Sequence, residues 1–528
     1  MKIESICIVG GGSSGWMTAA LLSSNLKNIK ITVVEPKNIP TIGVGESTMG
    51  HINRYLAAIG LSGRDKDFMS YCDATYKLSV RFNDFKSLNH SFQYPFGLSD
   101  YSNCQPEDWF IIKQLYPDFN LSYSEFYNPI TYLANENKIV FESPYISNFR
   151  FNQDTAYHLD AVKFGQYLKE KICIPNGVKV IRDTIKHIEL DPLTGEVVFL
   201  TPESSPTFMI KADLYIDCTG FKSLLLEQSM GSEFISFKDT LLNDTALAGR
   251  MPYEDQKNEL INVTDCTALK NGWVWNTPTW ERMGTGYVYS SQFTNDENAE
   301  LEFRKHLEKV KGKKRADEIE LRKINIRHGK RKHGWCKNVV GIGLSYAFLE
   351  PLEATGLFTT HENALRLLDA LERRNGFIGK IDIDAYNLAV DNELESMREF
   401  IVMHYVLSER TDSSYWRYIN NELPVISHEE LLDKIVRTPR LYKEFSYDVG
   451  FANKFGDLRG TLYIAGGFEY SPISKTECLF RSTDRRYIDK ARIDDIAIPI
   501  ALKNKKRILR FLKKCPSSYD FLRTTIYD

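Results

Sequence analysis

The sequence predicts an α/β fold with an inserted sheet and a mostly helical C-terminal part. Three observations predict it. Residues 6–35 carry an apolar strand, a glycine-rich turn, an apolar helix start and a second apolar strand. Residues 212–220 and 339–345 are two further apolar strands that run into glycine, as strands of a parallel sheet often do. Residues 381–528 lack such runs and are mostly helical in pattern.

The first of these segments has the form of a dinucleotide-binding βαβ unit. Gly10, Gly12 and Gly15 fit G-x-G-x-x-G between the strand and the helix. In this pattern the glycines permit a tight turn, close approach of a pyrophosphate and close helix–strand packing, while the helix start offers free N–H groups. Glu35 closes the second strand, where an acid can bind a ribose diol. The loop, with Ser13, is a predicted dinucleotide site; a ligand-free glycine turn is the alternative.

Composition narrows the function classes. The 528 residues are 43% hydrophobic and 26% charged with a net charge of -2, which is ordinary for a globular protein and gives no reason to expect nucleic acid. The length allows roughly two to four domains. No apolar run approaches a membrane span, and the N-terminus enters a strand at once, so we expect no signal peptide and a cytoplasmic location. Nine cysteines and ten histidines show no metal-ligand spacing, so no metal is expected.

The segment after the second strand is a second candidate for contact with a bound group. Gly43, Val44 and Gly45 place two glycines around one valine, which suits backbone pressed against a flat ring system. A plain turn is the alternative. Residues 47–59 then read as a helix with a hydroxyl residue as its cap.

An alternating segment and an aromatic insertion come next. Residues 74–82 alternate like a strand and carry Lys77, although a strand lysine is by itself more often solvated than functional. Residues 90–155 are rich in Tyr and Phe, and Phe96 lies in a Tyr-Pro-Phe-Gly element. Such a segment suits either a pocket wall or ordinary core packing.

The middle of the chain alternates between helix and strand. Asp160 is the expected N-cap of a helix over 161–171, and three strands are expected over 178–181, 184–190 and 197–200. Trp273 and Trp275 lie two residues apart and therefore face one side of a predicted strand, where core packing and a functional role are both open. Residues 300–322 read as a charged, solvated helix.

A second possible ligand site lies at the start of a later helix. The strand over 339–345 ends near Gly343, which we expect to approach the bound dinucleotide. Glu353, Thr355 and Gly356 follow, and a helix is expected over 355–373. The turn before that helix exposes backbone N–H groups, which is a natural anion site.

The predicted organisation has three regions. A discontinuous dinucleotide module comprises 1–90, 156–225 and 335–380. An aromatic and β-rich substrate region comprises 91–155 and 226–334. A helical region over 381–528 packs on the module. Its basic segment 503–514 is expected to form a helix that docks on the core and leaves its basic face exposed to solvent. Binding of this segment to a membrane surface is the less favoured alternative.

Together these motifs resemble the flavin-dependent halogenases, specifically the tryptophan-halogenase-like branch, over roughly residues 5–420. The family's W-x-W-x-I-P element is matched by residues 273–278, with Thr277 in place of Ile. The strand lysine that engages hypohalous acid matches Lys77, and the glutamate of P-L-E-S-T-G matches Glu353. This combination is far more specific than any single motif.

The resemblance also covers a halide site, with two departures. The family's Thr-Gly backbone that binds halide matches Thr355 and Gly356. The serine that precedes it is Ala354 here, and the family's His-Pro-Phe-Gly begins with Tyr94. The first departure leads us to expect bromide or iodide to be favoured over chloride. The second is one reason to expect an indole or phenol rather than free tryptophan.

The resemblance implies a halogenase that takes reduced FAD from a separate flavin reductase. Dioxygen and halide then give hypohalous acid, which passes through an internal tunnel to Lys77. Glu353 acts beside Lys77 as a general base, while Trp273 and Trp275 keep a small aromatic substrate, held near Phe96, away from the flavin. A single-component FAD monooxygenase and a non-catalytic FAD-binding protein are the alternatives. Homo-oligomerisation is left open.

Overall fold

The computed structural model describes residues 1–37, 46–97, 108–141, 150–423, 458–470 and 490–528. The predicted cofactor contacts Gly43, Val44 and Gly45 lie outside these ranges.

All strands of the described residues lie within the first 350 residues of the chain. They are β1 Ser5–Val9, β2 Lys30–Glu35, β3 Glu46–Ser47, β4 Thr75–Lys77, β5 Ser79–Asn83, β6 Ser91–Pro95, β7 Ala156–Leu159, β8 Lys179–Arg182, β9 Ile185–Leu190, β10 Val197–Pro202, β11 Leu214–Asp217, β12 Phe234–Ser236, β13 Thr245–Pro252, β14 Val263–Ala268, β15 Gly272–Pro278, β16 Arg282–Tyr289, β17 Leu321–Asn325, β18 Gly329–Arg331, β19 Trp335–Cys336, β20 Val339–Gly341 and β21 Ala347–Phe348.

Helices are interspersed with these strands and dominate the C-terminal part. They are α1 Ser13–Asn25, α2 Ile52–Ala58, α3 Asp65–Tyr71, α4 Asp108–Leu115, α5 Tyr123–Tyr127, α6 Ile130–Asn135, α7 Phe151–Asp154, α8 Ala161–Tyr167, α9 Gln256–Glu259, α10 Asp296–Lys311, α11 Lys313–Glu318, α12 Thr355–Arg373, α13 Lys380–Val406, α14 Ser414–Asn421, α15 Leu458–Gly467, α16 Lys490–Arg492, α17 Ile498–Leu512 and α18 Ser518–Leu522. Shorter 3-10 or π turns lie at Leu168–Cys173, Gly220–Lys222, Gly343–Ser345, Pro351–Glu353, Ile493–Ala497 and Arg523–Tyr527.

The predicted βαβ unit lies in a six-stranded sheet with the order β19-β20-β11-β1-β2-β8. All of its neighbouring pairs are parallel except β19 with β20. Cys7 and Ile8 in the central strand are fully buried, as expected for a strand covered on both faces. The α/β class is therefore confirmed, and the strand over 214–217 does return beside β1.

A seven-stranded sheet with the order β17-β13-β16-β15-β14-β5-β6 forms the second large layer. One of its strands, Ser79–Asn83, comes from a stretch of the chain that the sequence assigns to the dinucleotide module. The single strand expected over 74–82 is interrupted at Leu78, whose N–H donates to the Asn262 carbonyl. Lys77 therefore ends a strand of one sheet immediately before the chain enters another.

The helix expected over 47–59 begins later than predicted. Glu46–Ser47 pairs with β7, and helix α2 begins only at Ile52. The Thr48 hydroxyl donates to the Tyr157 carbonyl at 3.0 Å and accepts from the Tyr157 N–H at 2.8 Å. Because this hydroxyl is committed to a neighbouring strand, it is not available to cap the helix.

The charged helix expected over 300–322 is also shorter than predicted. It divides into α10 and α11 at Gly312, which has a φ of +88°, and residues Leu321–Asn325 instead form an edge strand against β13. The charge pattern did not distinguish a solvated helix from a half-exposed strand. By contrast, the Asp160 cap is confirmed, since its carboxylate accepts from the N–H groups of Val162 and Lys163.

The C-terminal helices pack on the core. Helix α13 has 27 residues and buries Val390, Leu394 and Ile401. Helix α17 buries Ile508 and Leu512 while its basic residues stay mostly exposed, as expected for a docked helix with a wet face. In the part of the chain that the structure covers, no helix is both long enough and apolar enough to cross a membrane.

Candidate active site

The glycine loop forms a backbone cradle at the start of α1. A Cβ atom at Gly10, where φ is +118°, would lie 2.2 Å from the Cys218 carbonyl oxygen, and one at Gly15 would lie 1.9 Å from the Gly10 carbonyl oxygen. No side chain caps the helix at Gly12, so the N–H groups of its first turn have no intrahelical partner. The loop therefore fits a pyrophosphate held by backbone N–H groups.

Glu35 lies against this loop, as predicted. Its Cβ would be 2.4 Å from a Cβ built at Gly11. Its carboxylate forms an ion pair with Lys169 and a second, at 3.3 Å, with Arg182, neither of which sequence reasoning anticipated. The acid is therefore positioned by basic groups at the cradle. The Ser13 hydroxyl points elsewhere and donates to the Ala161 carbonyl at 3.2 Å.

Gly343 lies between the two helices expected to hold ligands. It has a φ of +69°, and a Cβ there would lie 2.8 Å from Ser14 Cβ and 3.3 Å from Thr360 Oγ1. Ser14 belongs to the first turn of α1 and Thr360 to the second turn of α12. The absence of a side chain at this position lets the beginnings of the two helices approach each other.

The first turn of α12 has the features of an anion site. Ala354 precedes it in the left-handed conformation, with φ +56° and ψ +34°, and provides no side-chain cap. The Thr355 hydroxyl donates back to the Glu350 carbonyl at 2.9 Å rather than into the helix. Backbone N–H groups of Thr355 and Gly356 thus begin a helix without an intrahelical acceptor, where the helix dipole favours negative charge.

The surroundings of Ala354 are apolar. Ala354 forms a buried cluster with Met49 and Phe358, and Met397 packs against it. An anion next to this cluster would have thioethers and an aromatic ring as neighbours, which are polarizable groups rather than hydrogen-bond donors.

Lys77 is buried, with 1% of its surface exposed. Its ammonium donates to the Ser47 hydroxyl at 2.6 Å and to the Thr48 carbonyl at 3.0 Å. It also lies 5.0 Å from the centroid of the Phe96 ring. Burial lowers the pKa of Lys77 to about 8, and the negative charge of Glu353 acts in the opposite direction. This lysine is therefore unlike a solvated strand lysine.

Glu353 is also fully buried. Its Oε1 lies 3.1 Å from Nε2 of His404, a residue of α13 that sequence reasoning passed over as part of a helix. Its Oε2 has no hydrogen-bond partner among the residues described. His404 stands 51 positions after Glu353, and no local motif links them, so nothing in the sequence could have paired the two.

The two tryptophans lie on β15 with their ring centroids 6.2 Å apart. The Trp273 indole N–H donates to Oε1 of Glu350, which also accepts from the Tyr405 hydroxyl. Trp275 is partly exposed and covers Gly286, where a Cβ would lie 2.1 Å from the indole ring. Glu350, a second buried acid that sequence reasoning left without a role, therefore anchors Trp273.

A cavity of about 430 Å³ has Phe96 in its wall, the ring whose centroid lies 5.0 Å from the Lys77 ammonium. Its wall combines aromatic, polar and charged side chains, among them Met49, Arg54, Tyr94, Phe96, Asp154 and Tyr463. Tyr463 comes from α15 and packs on Tyr94 with ring centroids 5.4 Å apart. The cavity is within the range of small-molecule sites.

Comparison with known proteins agrees with this geometry. The family model described as tryptophan halogenase matches residues 5–448. The 7-chloro-L-tryptophan 6-halogenase KtzR of Kutzneria sp. (strain 744) is 34% identical over 78% of this chain and 80% of its own length. The apo structure of VirX1 is 40% identical with a TM-score of 0.88, and all of both chains is covered. BrvH, a flavin-dependent halogenase from Brevundimonas sp. BAL3, is 30% identical with a TM-score of 0.82 over 99% of each chain.

These matches confirm the resemblance inferred from the motifs, and they extend over the glycine loop, the lysine strand and the beginning of α12. The chain belongs to the tryptophan halogenase family.

Proposed function

We propose that this flavin-dependent halogenase transfers an electrophilic halogen to an indole or phenol ring held beside Lys77 and Glu353. As a flavin-dependent halogenase it uses FAD, delivered reduced by a separate flavin reductase, together with halide and a small aromatic substrate. The observation that carries the residue-level proposal is the buried Lys77 ammonium, which lies against the Phe96 ring of the cavity wall and feels the charge of Glu353.

The glycine loop and the residues around it would hold FAD. Gly10, Gly12 and Gly15 would take the pyrophosphate, Glu35 a ribose, and Gly343 would let the beginning of α12 approach the cofactor. When bound, reduced FAD would supply two electrons that bring dioxygen to the peroxide level, at which it can take two electrons from halide to give hypohalous acid. The protein's part is to hold the reactants and to keep water and substrate out of that step.

Halide would bind at the backbone N–H groups of Thr355 and Gly356. Ala354 gives this site no hydroxyl, and its neighbours Met49 and Phe358 give it no donor. Chloride, the most strongly hydrated of the three common halides, loses most in such surroundings. Bromide and iodide should therefore be better substrates than chloride.

Lys77 would receive the hypohalous acid. With a pKa of about 8, about one lysine in ten is a neutral amine at pH 7, so both a hydrogen-bonded acid and a haloamine are accessible. Glu353 would take the proton from the ring carbon that has accepted the halogen. Overall, an aromatic C–H and hypohalous acid become a C–halogen bond and water. Trp273 and Trp275 would separate the substrate from the flavin.

The substrate would occupy the cavity beside Phe96. Its Tyr94, Phe96 and Tyr463 suit a flat, electron-rich ring, which an electrophilic halogen requires. KtzR acts on a chlorinated tryptophan, but in this chain Tyr94 replaces the histidine of the family element. We therefore propose an uncharged indole or a phenol in preference to free tryptophan. A cytoplasmic location and the limits of the three regions remain predictions.

One assay tests this function. Purified protein receives reduced FAD, dioxygen and bromide with a panel of indoles, phenols and tryptophan, and the products are read by mass. Replacement of hydrogen by bromine on an uncharged indole or phenol is the expected result. A gain of one oxygen would instead mark a monooxygenase. A clear preference for tryptophan, brominated at one ring position, would contradict the proposed substrate class.

A further inference from the structure

Two fully buried ionisable groups of the site lie in direct contact. Glu353 and His404 both have 0% of their surface exposed, and Oε1 of the first lies 3.1 Å from Nε2 of the second. The imidazole is packed against Phe82, with ring centroids 4.9 Å apart, and against Phe400 at 5.2 Å. No water-exposed surface is available to either group.

The contact of the second ring nitrogen of His404, Nδ1, determines how many protons the Glu353–His404 pair holds. Nδ1 of His404 lies 3.0 Å from the Phe400 carbonyl oxygen. A carbonyl oxygen can only accept, so Nδ1 carries a hydrogen. If Nε2 were bare and Glu353 ionised, two sets of lone pairs would face each other in an apolar enclosure. A proton must therefore lie between Nε2 and Oε1, as an imidazolium–carboxylate or an imidazole–carboxylic acid pair.

The contact with His404 occupies only one of the two carboxylate oxygens of Glu353. Oε2 of Glu353 has no partner in the described ranges, while Oε1 is occupied by His404. Burying a carboxylate oxygen without a hydrogen-bond partner costs free energy of folding, unless a bound ligand provides the partner. The charge of Glu353 acts on Lys77, so Oε2 belongs to the centre where the substrate ring is proposed to lie.

Other titratable groups around the pair keep one protonation state near neutral pH. Burial raises the pKa of the Cys266 thiol, which faces Lys77 and Glu353 from β14, so it stays neutral. Burial and the charge of Lys77 lower the pKa of His158 on β7, which also stays neutral. Neither Cys266 nor His158 therefore changes its charge near neutral pH.

We infer that His404 is a positioning residue: its Nε2–H donates to Oε1 of Glu353, which orients the carboxylate and leaves Oε2 free to act as the base. In the step it serves, the halogenated ring carbon gives its proton to Oε2, the electrons of the C–H bond restore the aromatic ring, and Nε2–H continues to donate to Oε1. This inference rests on the proposed role of Glu353.

The test is the rate of bromination at saturating substrate and bromide, measured together with KM. In His404→Phe the carboxylate loses its donor, so Oε1 is left without a partner and the group is no longer held in one orientation. The value of kcat should fall about 10- to 100-fold, as when a hydrogen bond to a charged group is lost, while KM for the substrate stays unchanged. His404→Gln keeps an N–H donor, so its kcat should recover.

Controls separate this role from a structural one. His306→Phe makes the same chemical change on α10, away from the site, and should leave kcat unchanged. In a Glu353→Gln background His404→Phe should cost little, because it acts through Glu353.

Two results would overturn the inference. One is a kcat of His404→Phe equal to that of the wild type; if this variant does not fold, a kcat of His404→Gln as low as that of Glu353→Gln is the contradicting result. The other is an equal cost of His404→Phe with and without Glu353. In both cases a slow Glu353→Gln enzyme leaves the proposed function standing. A Glu353→Gln enzyme as fast as wild type would instead contradict the proposed base and this inference together.

Discussion

The cofactor loop and the halogenation centre are built in opposite ways. The loop is local: Gly10, Gly12 and Gly15 lie within six consecutive residues, and backbone atoms define its shape. The centre is assembled from distant segments, since Lys77 and Glu353 come from different parts of the chain and His404 from a third. The loop therefore depends on the absence of side chains, whereas the centre depends on buried charges whose partners hold each other in place.

This contrast predicts that loss of one buried cation, Lys77, has the largest effect on halogenation. Lys77→Ala should lower halogenation by more than about 10³-fold, because no other cation in the described site is placed to engage the oxidant. Oxidation of bound reduced FAD by dioxygen should continue, because it needs only the loop. Product mass and flavin absorbance measure the two steps separately. Lys77→Met, which keeps the length without the charge, is the matched control and should be equally inactive; a halogenating Lys77→Ala enzyme would remove Lys77 from the mechanism.

A substitution in the glycine loop should instead weaken the binding of FAD. Gly12 has an ordinary φ of -82°, so Gly12→Val should fold, but its side chain would occupy the pyrophosphate position. We expect FAD affinity to fall about 100-fold or more, measured by flavin fluorescence. Gly165→Ala is the matched control, since a Cβ there would meet Ser13 Cα at an ordinary 3.8 Å. Unchanged FAD binding by folded Gly12→Val would mean that the site is misplaced.

Removing the charge of Glu353 should slow halogenation without releasing the bound FAD. Glu353→Gln should lower kcat by about 10²-fold, the lower end of what a general base contributes, with FAD binding intact. The charge of Glu353 raises the pKa of Lys77, so its removal should lower that pKa below about 8. If protonated Lys77 is the active form, the falling limb of the rate then moves to lower pH. If Glu353→Gln brominated substrate at the wild-type rate, Glu353 would have a structural role only.

The smallest effect concerns the halide. Bromide or iodide should outperform chloride in the wild type, and Ala354→Ser should narrow the gap by about threefold to tenfold, the value of one neutral hydrogen bond. Competition between chloride and bromide, with both products weighed in one reaction, measures it. Equal rates with both halides at saturation, together with no effect of Ala354→Ser, would contradict the role given to this position.

The same contrast explains what the sequence could predict. The glycine loop, the Asp160 cap and the bounds of α12 were predicted, because each depends on residues close together in the chain. The partners of Glu353 and Trp273 were not, because His404 and Glu350 reach them only after the helices pack. The same holds for boundaries decided by pairing with distant strands, such as the break between β4 and β5.

Gly343 has a consequence for how this enzyme could be diversified. Because a Cβ at this position would lie 2.8 Å from Ser14 Cβ and 3.3 Å from Thr360 Oγ1, Gly343 sets how closely the proposed cofactor and halide sites approach each other. Cavity side chains can be exchanged in a library one at a time, because each faces open volume. A methyl group at position 343 would push the two helix beginnings apart and change the distance over which the oxidant is made. Directed evolution should therefore find new substrates readily around Phe96, while position 343 tolerates no variation.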